Sequence, residues 1–367
     1  MSEAPEPDRV EGVPHPRETQ RLVGQDEAER RFLDDYARGR LHHGWLITGP
    51  RGVGKATLAW RIARFLLAEE PGGALFGPPD TLDIPADHPV ARRIAAGSEP
   101  GLLALRRAQD EKSGKVKTQI TVDEVRKLRD FFGLTAAEGG RRVVIVDSAD
   151  EMNPSAANAL LKLLEEPPAG ALLLLVSHQP SRLLPTIRSR CRELRLRALG
   201  ADAMTGALEQ ALGAPTDGAA LAALSAGSVG EAIRIEKGDG LAIYASILEV
   251  LAGLPRMDRQ AMLKICNSLT GREAEARFDL TVRLFEVALA RLARAGASRQ
   301  PQAEAVPGET DVLARLSPDP NAARRWAGMA ADLPPRARAG RAVNLDPGSL
   351  VLDMFLRLES AARSATG

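Results

Sequence analysis

Only two cysteines, Cys191 and Cys266, occur in 367 residues. That excludes a disulfide framework and a four-thiolate zinc site built within the chain. Neither sign of charge prevails: 49 basic against 48 acidic side chains leave +1. Without a global positive field, any nucleic-acid contact must be local or indirect. No apolar run is long enough to span a bilayer, so no membrane association is expected. The segment Met1 to Arg17 is polar, acidic and proline-rich, unlike a signal peptide, and residues 1–19 read as a disordered lead-in to a cytoplasmic protein. What is present is ordinary globular material, 44% hydrophobic and 26% charged, with length for two or three compact units.

The most informative stretch is Leu46-Ile47-Thr48-Gly49-Pro50-Arg51-Gly52-Val53-Gly54-Lys55-Ala56-Thr57. A phosphate-binding loop reads G-x-x-x-x-G-K-[ST]: backbone N–H groups cradle phosphates, the lysine reaches the β/γ-phosphates, and the hydroxyl holds Mg²⁺. Gly49, Gly54 and Lys55 fit, on a strand-like run that leads into a helical pattern. Ala56 stands where the hydroxyl belongs and cannot ligate a metal. Thr57 could substitute only if the loop shifted. Ancestry as a phosphate loop and competence in hydrolysis are therefore separate questions.

Helical periodicity begins near Gln25, with Ala28, Phe32, Leu33 and Tyr36 on one stripe. A strand over Trp45–Thr48, the glycine loop and an amphipathic helix from Lys55 to about Leu67 follow. Residues 71–118 are weakly patterned and read as an insertion, with a short basic helix candidate near Leu102–Gln109. Thr121 with Glu124 makes a capping box for a helix over Val122–Phe132. Arg142–Asp147 is an apolar run ending in a carboxylate, as in a strand buried on both faces of a parallel sheet. Asn153-Pro154 opens the next helix as N-cap and first-turn proline, and Pro167-Pro168 stops it. A second buried strand spans Ala171–Ser177. This alternation implies a doubly wound α/β domain. Beyond Leu199 only alanine- and leucine-rich helical patterns continue, broken at Gly213–Asp217, Gly238–Gly240 and Ser298 to about Thr310. The fold class expected is α/β then all-α.

P-loop ATPases place a carboxylate at the end of the next buried strand to help hold Mg²⁺, and many follow it with a glutamate that polarises the attacking water. Asp147 suits the first task. Ser148 occupies the second position, and a neutral hydroxyl is a poor base. Asp150 and Glu151 follow the strand by three and four residues, which aims them into the turn. Ala56 and Ser148 are thus two defects at independent positions.

The order of these pieces resembles a known family. Val-Ile-Val-Asp-Ser-Ala-Asp-Glu-Met-Asn, Ala-Asn-Ala-Leu-Leu-Lys-Leu-Leu-Glu-Glu-Pro-Pro at 157–168 and Pro-Thr-Ile-Arg-Ser-Arg-Cys at 185–191 are similar to the AAA+ module of sliding-clamp loaders. A degraded phosphate loop beside an intact Ser189-Arg190-Cys191 resembles, within that group, the delta-prime subunits of bacterial DNA polymerase III. The resemblance is strong over about residues 20–197. In the last third it rests mainly on Asn344-Leu345-Asp346-Pro347 and the terminal helix.

That resemblance implies an AAA+ P-loop domain with a parallel sheet over 20–197, a small helical lid domain over 198–240, and a helical collar, or oligomerisation, domain over 241–367. It makes Arg190 an arginine finger that reaches in trans into a neighbouring subunit's ATP, within the interface motif Ser189-Arg190-Cys191. It makes Gly49, Pro50, Gly52, Gly54, Lys55, Ala56, Thr57, Asp147, Ser148 and Ser177 a degenerate nucleotide pocket. Ser177 and His178 fall at the sensor-1 hydroxyl of motor subunits. Gly227-Ser228-Val229-Gly230 resembles the sensor-2 helix start, with Gly230 where a motor has its arginine. Many delta-prime subunits carry a four-cysteine zinc module after the phosphate-loop helix. The corresponding Pro71–Pro89, with His88-Pro89 at its downstream edge, has no cysteine, so no zinc and no metal are expected. No cofactor is expected, although Lys55 leaves residual ATP binding open. The partners implied are motor subunits of the gamma/tau type, a delta-type subunit, and, through the complex, the sliding clamp and primed DNA.

Plainer roles stand beside these. Asp147 could cap the Asn153 region, Arg190 could pair within its own domain, and Cys191 could be a small buried hydrophobe. His42-His43 suit packing and turn roles better than metal. Arg336, Arg338 and Arg341 suit a solvated helix face better than DNA phosphates, because acidic residues are interspersed elsewhere and aromatic content is only 4%. Three functions compete: a ring subunit that neither polymerises nor hydrolyses ATP efficiently on its own, a working AAA+ motor of the clamp-loader or branch-migration type, and a small-molecule phosphotransferase, for which no substrate pocket with its own base or clamp is readable. The second needs Thr57 for Ala56 and a displaced carboxylate for Ser148.

Overall fold

A computed structural model describes residues 12–39, 41–69, 79–109, 116–133, 140–271, 273–298 and 301–364. Two compact units divide the chain: the first is Met1–Leu199 with Glu209–Ala214 and Ser228–Gly230, the second is the remainder.

The first unit is built on five parallel strands, β1 (Gly44–Thr48), β2 (Leu102–Leu105), β3 (Arg142–Asp147), β4 (Ala171–Ser177) and β5 (Arg192–Arg195), in the order β2-β3-β4-β1-β5. All seven residues of β4 and the middle four of β3 are buried, because helices cover both faces. On one face Leu46, Val144, Val146, Leu173 and Leu175 pack with Val125 and Leu128 of α4 (Val122–Gly133) and with Ala156, Leu160 and Leu164 of α5 (Pro154–Glu165). The opposite parity of strand residues faces α2 (Lys55–Ala68), which packs on β1, β3 and β4. Helix α1 (Asp26–Ala37) sets Phe32 against Trp45 of β1 with ring centroids 5.1 Å apart.

Local signals act as the sequence implies. Thr121 N–H donates to Glu124 Oε2 at 2.9 Å to open α4, and Asn153 Oδ1 accepts from Ala156 N–H at 2.8 Å to open α5. One expectation is corrected. The helix candidate at Leu102–Gln109 is the edge strand β2, its apolar residues paired in register with Val143–Val146; the short apolar run fits a sheet edge, and four residues do not fill two helical turns. The insertion's helix is instead α3 (Pro89–Ala95), N-capped by His88 Nδ1 accepting from Val90 N–H at 3.2 Å; residues 71–78 and 110–115 of the insertion lie outside the described residues. Of the lead-in expected over 1–19, residues 1–11 lie outside the described residues, and residues 12–19 pack on α2. Arg61 and Arg64 of α2 are buried, and their guanidiniums need acceptors, which the Gln20 and Arg17 carbonyls supply. His15 packs edge-on against Trp60 at 5.9 Å. Strand β5 was not anticipated: three of its four residues are charged and only Leu194 is buried.

No strand occurs among the described residues after Gly200. A short α6 (Pro185–Arg188) precedes β5 in the first unit, and α7 (Ala201–Leu212), α8 (Gly218–Ser225), α9 (Val229–Lys237) and α11 (Arg259–Asn267) belong to the second, apart from the end of α7 and the start of α9. Its centre is α10 (Gly240–Ala252), α12 (Ala274–Ala297), α14 (Pro320–Ala342) and α15 (Pro347–Ser364). Phe285 and Phe355 meet there with centroids 4.6 Å apart. Glu309 of α13 (Glu309–Leu316), fully buried, accepts from Tyr244 Oη at 2.6 Å, from Ala305 N–H at 2.7 Å and from Arg291 Nε.

Candidate functional site

The sheet order brings the carboxyl ends of β1, β3 and β4 together, because β4 lies between the other two. Thr48 pairs with Ser177 and Asp147 with Val176. Ligands of open α/β sheets bind beyond these carboxyl ends. The glycine loop leaves Thr48 there and enters α2 through Gly54, with positive φ at Gly49, Gly52 and Gly54. A side chain at Gly49 would strike the Leu196 carbonyl at 2.5 Å, so that close approach needs glycine.

Lys55 is buried, and its Nζ donates to the loop's own carbonyls, Gly49 at 2.8 Å and Pro50. Burial pulls its pKa down to about 8, against the pull of Asp147 and Asp150, with Arg51 pushing the same way as burial. Ala56 and Thr57 follow in the first turn of α2. At the end of β3, Ser148 Oγ donates to Asp147 Oδ1 at 3.0 Å and lies 2.9 Å from His178 Nε2. His178 is fixed in turn through its backbone N–H, which donates to Asp150 Oδ1 at 2.9 Å. Burial, then Lys55 and Arg51, hold its pKa near 4 with Asp150 opposing, so the ring is neutral near pH 7. Ser177 is fully buried, its hydroxyl without a hydrogen-bond partner.

Of the two side chains that hold magnesium in a phosphate-loop site, the hydroxyl is replaced and the Asp147 carboxylate is present. Ala56 supplies no oxygen and Asp147 is engaged by Ser148. Among the described residues no group of three or more His, Cys, Asp and Glu side chains could hold a metal ion. Nor does Ser148 supply a base: its hydroxyl is bound between Asp147 and a neutral imidazole.

Gly230 meets this pocket through its backbone alone. Its N–H donates to the Gly52 carbonyl at 3.1 Å, and Ser228 Oγ fills the space where a Gly52 side chain would point.

Arg190 lies elsewhere, on the loop between α6 and β5. Its side chain is 38% exposed, donating to the Thr186 carbonyl at 3.1 Å and pairing with Glu165 Oε1 at 3.0 Å. Ser189 Oγ donates to the same carbonyl. Cys191 packs against the core, and burial drives its thiol up to about 12, outside the range of a reactive thiolate. His43 Nε2 lies 2.9 Å from the Leu164 carbonyl and His42 Nδ1 bonds the Gly44 backbone, which are turn and packing roles. Arg336 pairs with Asp353 and Arg338 with Glu286 on helix surfaces.

Comparison with known sequences decides the family. Residues 24–200 match the family described as DNA polymerase III, delta subunit. The chain is 33% identical to the DNA polymerase III subunit delta' of Escherichia coli over 293 residues, covering 78% of this chain and 81% of that one. It belongs to the delta-prime family of DNA polymerase III subunits. The delta-prime subunit of Pseudomonas aeruginosa is 38% identical over 224 residues, 61% of this chain and 63% of that one, just under two thirds of its length. The Escherichia coli tau subunit is 30% identical over 281 residues, 74% of this chain and 40% of that one. The residues matched by the family model, 24–200, fall in the five-stranded unit but for the last.

Sequence reasoning named the loop, Asp147, Ser148 and Arg190, and it missed two partners. His178 was noted for its position, not for its bond to Ser148. Glu165 was quoted within a motif and given no role; two adjacent acids at a helix C-terminus, against the preference for cations there, were the available signal.

Proposed function

We propose that this chain is a clamp-loader subunit of the DNA polymerase III holoenzyme that does not hydrolyse ATP effectively itself and lends Arg190 to a neighbouring ATPase subunit. The observation that carries the reading is the contrast between its two sites. In the pocket, Lys55 is bonded to loop carbonyls, Ala56 removes the metal hydroxyl, Ser148 replaces the base, and Gly230 offers only a backbone N–H. At the surface, the Arg190 guanidinium is partly exposed and anchored by a carbonyl and a carboxylate, both exchangeable for phosphate oxygens.

Motor subunits of the gamma/tau type are the natural recipients, with a delta-type subunit, the sliding clamp and primed DNA engaged through the complex. Sequence similarity to tau supports a shared architecture with such motors. The working-motor alternative is weaker, because it requires Thr57 to take the place of Ala56 and another carboxylate to displace Ser148.

The test compares ATP turnover by the chain alone with turnover by a reconstituted ring carrying Arg190→Ala. We expect negligible turnover alone and a loss in the mutant ring, since a finger in trans contributes roughly 10³–10⁵ in rate in well-studied NTPases. Robust turnover by the isolated chain, or an unaffected mutant ring, refutes the assignment.

A further inference from the structure

Arg190 rests at a helix end whose acids run against the helix dipole. Helix α5 finishes with Glu165 and Glu166, at the end where cations are the favourable charge. A carboxylate pair there is destabilising for the helix unless a cation answers it. Arg190 does: its guanidinium is held between the C-terminal residue of α5, through Glu165 Oε1, and the Thr186 carbonyl of α6. The two side chains are 38% and 42% exposed, so the bond can open without disturbing the core.

We infer that Glu165 is a positioning residue for Arg190, a carboxylate that competes with the neighbouring subunit's nucleotide for the guanidinium and so favours engagement of a triphosphate over a diphosphate. This rests on the arginine-finger reading above. An exposed ion pair shifts an equilibrium by only about two- to fivefold. A triphosphate, with more charge and an additional terminal group able to bind a guanidinium through two oxygens, readily overcomes that competition. Once the terminal phosphate is lost, the attraction falls and the fixed carboxylate recovers its partner. A neutral residue at 165 would leave the finger free to bind either nucleotide.

The experiment uses reconstituted rings containing the full chain, with ADP as inhibitor of ATP turnover. Glu165→Gln keeps the size and an acceptor oxygen and removes the charge; Glu165→Asp keeps the charge. We expect E165Q to lower the inhibition constant of ADP about two- to fivefold, and E165D to restore most of the wild-type value. In an Arg190→Ala background, E165Q should have no effect on ADP inhibition. A merely structural role would lower the melting temperature and leave the ADP constant alone. An unmoved ADP constant in E165Q, or the same shift with and without Arg190, overturns the inference while leaving the finger intact. A ring indifferent to Arg190→Ala overturns both.

Discussion

The Gly230 N–H donates to the Gly52 carbonyl at 3.1 Å, joining the first turn of α9 (Val229–Lys237) to the middle of the glycine loop. Ser228 completes the contact by occupying the space beside the Gly52 Cα. The loop is thus braced from the side. On the inner side Lys55 is bonded to Gly49 and Pro50. Both ties are made by backbone groups of the loop itself, which gives the pocket a packing role whatever it binds.

Substitution at Gly52 tests that brace. Gly39 and Gly52 both have positive φ, but a side chain at Gly39 meets nothing within 4 Å, whereas one at Gly52 collides with Ser228 Oγ and approaches Gly230 N at 3.2 Å. Gly39→Ala should cost about 1–2 kcal/mol in backbone strain alone. Gly52→Ala should cost roughly 1–3 kcal/mol more from overpacking. Urea denaturation of the two variants measures the difference, and equal losses would show that Ser228 and Gly230 yield freely.

The neutral His178 gives the first unit an acid limit. Its folded pKa, near 4, lies below the ordinary imidazole value of 6.5, with burial the first cause and the charges of Lys55 and Arg51 outweighing Asp150. Between about pH 6.5 and 4 the unfolded chain therefore binds the extra proton, and stability falls as pH falls through that window. His178→Gln can still bond Ser148 and does not titrate. Its stability should vary less steeply with pH between 6.5 and 4 than the wild type. Parallel pH profiles in urea denaturation would remove His178 from the account.

The buried Tyr244–Glu309–Arg291 group should behave as one unit. Arg291 and Glu309 are almost wholly inaccessible, and Arg291 also donates to the Ala223 and Ala303 carbonyls. Arg291→Met leaves the Glu309 carboxylate buried without its cation, at a cost of about 3–5 kcal/mol. The double variant Arg291→Met with Glu309→Gln should cost clearly less than the two single losses added together. The unfolding transition of the helical unit reports both. Additive losses would mean that the pair is not coupled.

Much of the first unit was legible because its signals are local. A capping box, an Asn-Pro helix start, two long apolar runs and a glycine-lysine loop each specify their element through neighbouring residues, and α4, α5, β3, β4 and α2 follow them. The two edge strands were not legible in the same way. β2 is four apolar residues that suit either a strand or a helical turn, and β5 is charged at three of its four positions. Each is a strand only because β3 or β1 presents an unpaired row of backbone groups to it.

The sequence by itself determined which side-chain groups the pocket lacks, since an alanine has no side-chain oxygen in any conformation and a serine no carboxylate. It also fixed the family through motifs whose residues lie close along the chain. Only the tertiary structure decided the partners: that Ser148 meets His178, that Gly230 reaches Gly52, and that Glu165 holds Arg190. These pairs lie 30, 178 and 25 residues apart. Their meeting depends on strand order and helix packing, which place distant side chains within hydrogen-bond reach and leave no periodic mark in the sequence.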